Sequence, residues 1–179
     1  GLEVGHSVRS VKECARQARR DLSVVTAMME SRTIEGDEEL RTRMLKQIAP
    51  RKMWSPAAFY QAKVDEQDAR HEKSNHTEYS LEPNVKSSPG GLRDIQTVMW
   101  IAKREYDCSS LEDLVAAGFL SPDECDVLRE GRRFIWKVRW GLHRAPGRED
   151  DRLLFEYQKT LAAQFGYVDH EQLAVEQFM

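Results

Sequence analysis

At 179 residues, with 40% hydrophobic and 32% charged side chains, the chain is one domain of ordinary size, or one domain plus a piece of another, and it can bury a real core. Its formal charge of -3 argues against general affinity for nucleic acid or acidic membrane, and no apolar run approaches the ~18 residues of a membrane span. Three cysteines (Cys14, Cys108 and Cys125), odd in number and without CxxC spacing, argue against a disulfide framework or zinc site and for a reducing cytoplasm.

Leu2 to Arg9 alternates apolar and polar residues, broken at Gly5, and reads as a short strand. Ser10, with Glu13 three residues on, predicts a capped helix to about Arg20. Leu22 to Ile34 is ambiguous; its Val24–Val25 start favours a second strand. Gly36-Asp37 opens a helix over Glu38–Ile48, closed by Pro50. Ser55-Pro56 starts a polar helix to about Lys73, followed by an irregular segment from Asn75 to Pro89. After Gly91 the next helix carries Leu92, Ile95, Val98, Met99 and Ala102 on one face. Ser109 with Glu112 predicts a capping box on a short helix ended by Gly118. Ser121-Pro122-Asp123-Glu124 starts a long helix to about His143, and Pro146-Gly147 breaks the chain. Helices are expected from about Asp151 to Phe165 and from His170 onward. The fold class is mainly α: a bundle-like helical domain behind a short N-terminal β piece. The start at Gly1 and the stop inside a helical pattern read as an excised piece of a longer polypeptide.

The most informative stretch is Leu81 to Ile95, which contains Lys86, Pro89-Gly90-Gly91 and Arg93-Asp94. Paired glycines let backbone approach a ligand or another segment closely. Free N–H groups of the following helix, with Lys86 and Arg93 adding positive charge, suit a phosphate. The competing interpretation is a loop-to-helix junction with Lys86 and Arg93 in surface ion pairs. No Gly-Lys-Ser/Thr follows the glycines, so this is not a Walker loop. On a strand, Glu30 and Arg32 would share one side, and Glu30 could join carboxylates from elsewhere in an acidic magnesium site; a solvated pair is the alternative. None of the five histidines forms HxxxH or HExxH, and apart from His6 each reads as a hydrogen-bonded structural group. The basic run Arg129–Arg148, interleaved with Phe134, Trp136 and Trp140, resembles a nucleic-acid helix. Its charges spread around the helix, however, and the favoured interpretation is a core helix with a basic outer face.

Several stretches together resemble one family: Gly1 to Arg9, Met29-Glu30-Ser31-Arg32 with Gly36-Asp37, Ala62-Lys63, Arg70-His71, Leu81 to Asp94, Asp151 to Phe155, and Val175-Glu176. The sequence is similar to the bifunctional uridylyltransferase/uridylyl-removing enzymes that modify the PII nitrogen-signalling protein. A shorter Gly-Gly-hydrophobic-Arg-acid echo is similar to the adenylyltransferase of glutamine synthetase. The resemblance implies that residues 1–50 end a nucleotidyltransferase domain of the polymerase-β type, to whose sheet the N-terminal β piece belongs. It implies that residues 51–179 form the helical domain that follows. The family's Gly-Ser loop, Asp-x-Asp pair, histidine–aspartate motif and ACT repeats do not occur in the chain. The resemblance also implies UTP as substrate, magnesium as cofactor, PII and the remaining domains of the polypeptide as partners, no nucleic-acid or membrane partner, and a cytoplasmic location. Glu30 falls where such transferases place a third, metal-binding acid on a strand, with Glu3 as the competitor. Arg32, Lys86, Gly90, Gly91 and Arg93 would meet or brace the nucleotide. The fragment alone is expected to be inactive.

Overall fold

The computed structural model describes residues 5–73, 80–144 and 150–179. Among them the chain is mainly helical, with nine helices. α1 (Val11–Arg20) starts where Ser10 Oγ accepts the Glu13 N–H at 3.2 Å. The Glu13 carboxylate goes to Arg16, so the expected capping box closes in one direction only. α2 (Leu22–Met29) replaces the predicted second strand. Asp21 Oδ1 accepts from the Ser23 and Val24 N–H groups, and Val25, Met28 and Met29 are buried at helical spacing. The cap and this buried stripe outweigh the mild strand preference of the two valines. Of the predicted N-terminal strand, residues 2–4 lie outside the described residues; 5–10 are irregular.

α3 (Glu38–Gln47) is capped by Asp37, and α4 (Pro56–Glu72) follows with proline in its first turn, both as expected. α5 is Leu92–Tyr106. Its inner face keeps Leu92 and Ala102 of the expected stripe, but Val98 is exposed, while Thr97, Trp100 and Arg104 are buried. Arg104 goes inside because the turn after α3 leaves carbonyls that need donors. Its guanidinium donates to Ile48 O (2.6 Å), to Trp54 O (2.9 Å) and to Met53 O. α6 (Leu111–Ala116) has its capping box one residue later than predicted, on Ser110 and Asp113. Glu112 is thereby free to pair with Arg129. α7 (Pro122–His143) has the expected box between Ser121 and Glu124. α8 (Phe155–Gln164) and α9 (Ala174–Phe178) each begin about four residues later than predicted. Residues 151–153 are held extended instead, in an isolated antiparallel bridge between Asn84 and Arg152.

The helices build two compact units. The first takes the chain up to Val64 together with Trp100–Asp107. Its core is Ala18, Val25, Met28, Met29, Ile48, Met53, Phe59 and Trp100. The buried Lys63 ammonium lies 4.3 Å from the Trp100 ring centroid in this core. The second unit takes Asp65–Met99 and Cys108–Met179. Val138, Leu142, Leu153, Leu161, Ala162 and Phe178 form its core. Phe178 meets Phe134, Phe165 and Tyr167 with ring centroids 5.8–5.9 Å apart.

Candidate functional site

The stretch singled out from sequence folds in the second unit as a tight loop delivering the chain into α5. Asn84 starts it: its side-chain oxygen accepts from the Lys86 N–H (3.1 Å) and the Ser87 N–H (2.9 Å). Ser88 closes it from the other side, its Oγ accepting the Asn84 N–H at 2.9 Å. Gly90 has φ +76°, in the left-handed region. Gly91 is needed for another reason. A Cβ there would lie 2.9 Å from Ser88 O and 3.1 Å from the Lys86 carbonyl, both backbone.

Hydrogen bonding in this loop is internally complete where a phosphate cradle would need free donors. The Gly91 N–H donates to Ser88 O (2.9 Å), Leu92 to Val85 O (3.0 Å), Arg93 to Lys86 O (2.8 Å) and Asp94 to Gly91 O (3.0 Å). The Gly90 N–H donates to Asp94 Oδ2 at 2.8 Å. The Gly90 and Gly91 amides expected to face a ligand therefore already have acceptors in the chain.

Two carboxylates fasten this loop to its surroundings. Asp94, on the first turn of α5, accepts from Arg70 (2.7 Å) and lies 3.1 Å from His71 Nε2, both on α4. Arg70 also donates to Ser87 O at 3.1 Å and so grips the loop twice. Asp151 is the second anchor. Its carboxylate accepts from Arg139 Nε at 2.7 Å, and His143 Nε2 is 2.7 Å away, both on α7. Its backbone oxygen accepts the Val85 N–H at 2.9 Å. Burial works most strongly against ionisation of Asp151. Even so, hydrogen bonds from Arg139 and His143, and their charges, hold its carboxyl below the ordinary value. Lys86 Nζ stands 4.0 Å from the same carboxylate, so its charge is directed into the anchor. Arg93 is half-buried.

The structure thus brings Lys86, Gly90, Gly91 and Arg93 together in one loop. Glu30 and Arg32 belong to the first unit. They do not share the side of a strand, because Glu30 is the C-cap residue of α2. Glu30 Oε1 accepts the Trp100 indole N–H at 2.7 Å, while Arg32 is exposed. Arg32 lines an open pocket of about 640 Å³ with Arg9, Ile34, Leu40, Arg41 and Met44. Among the described residues, no three His, Cys, Asp or Glu side chains converge as a metal site. Glu30 offers a single carboxylate, which is not a magnesium site by itself.

Sequence reasoning missed the two anchors. Arg70, His71, Arg139, His143 and Asp151 are far apart in the chain, and no spacing rule joins them. The nearest signal was that His71 and His143 read as hydrogen-bonded structural histidines, which they are.

Fold and site together define a helical segment whose central loop is fastened by two acid–arginine–histidine anchors. The GlnD PII-uridylyltransferase family matches residues 58–179, and the chain belongs to this family. Along its whole length it is 55% identical to a bifunctional uridylyltransferase/uridylyl-removing enzyme of Stutzerimonas stutzeri (strain A1501). Identity is 53% to the enzyme of the same name in Pseudomonas aeruginosa (strain LESB58) and 56% in Pseudomonas putida (strain W619). In each case the chain spans 20% of the relative's length. No solved structure matches the chain.

Proposed function

We propose that this chain is the segment of a PII uridylyltransferase that runs from the end of its nucleotidyltransferase domain, residues 1–50, through the helical domain behind it, residues 51–179. The parent enzyme transfers UMP from UTP to a tyrosine hydroxyl of PII in the cytoplasm, and a further domain removes it. Magnesium, when bound, activates the attacking oxygen and neutralises charge on the phosphates. This chain adds at most one carboxylate, that of Glu30 or of its competitor Glu3, to ligands that come from elsewhere in the polypeptide.

The observation carrying this reading is the anchored loop in a chain of this family. Its backbone donors are satisfied internally, so Gly90 and Gly91 serve by holding the loop compact. In this reading the half-buried Arg93, and Lys86 beside the Asp151 anchor, brace the nucleotide cleft through the loop they belong to. Arg32, exposed at its own pocket in the first unit, is the further cation proposed to meet the nucleotide. The same internal hydrogen bonding favours a second reading, in which the helical segment docks PII or links the transferase to the hydrolase and the loop is purely architectural.

The two readings separate in the full-length enzyme carrying Lys86→Ala and Arg93→Ala. The nucleotide role predicts that kcat/KM for transfer falls at least about tenfold, roughly 1.4 kcal/mol, with PII affinity and fold unchanged. Loss of PII affinity with transfer chemistry intact supports docking instead.

A further inference from the structure

From Gly131 to Arg144, α7 contains no acidic residue but five cations: Arg132, Arg133, Lys137, Arg139 and Arg144. The Asp151 carboxylate takes up Arg139. The other four have no carboxylate partner among the described residues. Trp136 and Trp140 are 46% and 60% exposed, the opposite of the packing role expected for aromatic residues here. At about 100° per residue, Arg132, Trp136, Trp140, Arg133 and Arg144 fall within a sector of about 120°. The buried positions Val138 and Leu142 lie on the other side of the helix. Three of the four are therefore gathered on one face, while the Lys137 ammonium lies over the Phe165 ring, 4.1 Å from its centroid.

We infer that this outward face of α7 is a docking surface for an acidic segment of another protein. Two exposed tryptophans beside unpaired arginines have the composition of an interaction hot spot. Three unneutralised arginines around two rings call for a carboxylate-bearing partner. That polar balance suits a reversible interface better than one permanently covered by the parent polypeptide, which would be more apolar. Nucleic acid fits less well. Arg139 and Arg144 already stack on Trp136 and Trp140, at 5.1 and 4.8 Å from the ring centroids, occupying ring faces on which a base would stack.

The test titrates the full-length polypeptide with an amphipathic helical peptide of leucine and glutamate, and separately with duplex DNA, following tryptophan emission. The peptide is expected to bind and shift the emission to the blue. Arg133→Glu with Arg144→Glu should weaken binding at least about tenfold without changing the melting temperature. Trp136→Ala with Trp140→Ala should abolish the spectral shift, and the milder Arg133→Gln with Arg144→Gln should weaken binding to an intermediate degree. Equal peptide affinity in wild type and charge-reversed protein overturns the proposal. So does duplex DNA binding this face in preference to the peptide, with the salt dependence of phosphate contacts. If acrylamide quenches the tryptophans of this face in the isolated 179-residue chain but not in the full-length polypeptide, the parent itself covers the surface, and the proposal fails in that way.

Discussion

Gly91 is the residue at which the loop has least latitude. Gly90 beside it needs a left-handed φ, but open space surrounds the position where its Cβ would be. Gly91 has no such room: the atoms a Cβ would meet are the backbone of Ser88 and Lys86, which cannot swing aside like a side chain. These same atoms accept the hydrogen bonds that start α5, so moving them breaks the helix entry. Gly91→Ala is therefore expected to destabilise the chain by roughly 1–3 kcal/mol. Gly90→Ala should cost about 1 kcal/mol, from backbone conformation alone. Urea unfolding of both variants checks the order; Gly90→Ala emerging as the worse of the two would refute the close-approach argument.

At the level of elements, the sequence is legible where a local rule decides and illegible where a distant partner does. Ser10, Asp37, Ser121 and the proline at the start of α4 mark helix starts because a cap involves only neighbouring residues. α2 was misread because eight residues of mixed propensity are decided by burial, which the string of letters does not reveal. On α5 the expected stripe holds at Leu92 and Ala102, but Arg104 is drawn inside by carbonyls some fifty residues away. α8 starts late because the chain before it is claimed by Pro83 and Val85. Likewise the loop was visible in its glycines, but its anchors on α4 and α7 were not. The Asp151 anchor makes a prediction about pH. Its folded carboxyl titrates below the ordinary value of 3.8, so it contributes stability above that value and loses it as pH falls through the lower folded value. Wild type should therefore lose stability relative to Asp151→Asn only on acidification below about pH 4, with a constant gap near neutrality. Denaturant midpoints for the two proteins across that range test this. A gap that stays constant to the lowest pH would mean that the carboxylate is not coupled to folding.

For the whole molecule, the proposed transferase reading turns on what the Glu30 carboxylate does. Glu30, an exposed residue, is tied to α5 by the Trp100 indole, which occupies one of its oxygens. That arrangement has two possible uses. If Glu30 serves only to fix Trp100, then Glu30→Gln keeps an acceptor for the indole, and Trp100→Phe removes the donor. The two changes would then alter stability to different extents and leave transfer alone. If Glu30 supplies a metal-binding oxygen in the full-length enzyme, Glu30→Gln should lower kcat for UMP transfer by about a hundredfold or more and raise the magnesium concentration needed for half-maximal rate. Trp100→Phe, which loosens the carboxylate without removing it, should move both quantities the same way but less. Glu3→Gln is the necessary comparison, since Glu3 is the competing acid for that role. Steady-state rates against magnesium for the three variants decide the matter. A normal magnesium dependence in Glu30→Gln, with the defect appearing in Glu3→Gln, would transfer the role to Glu3 and leave Glu30 as the residue that holds α5 in place.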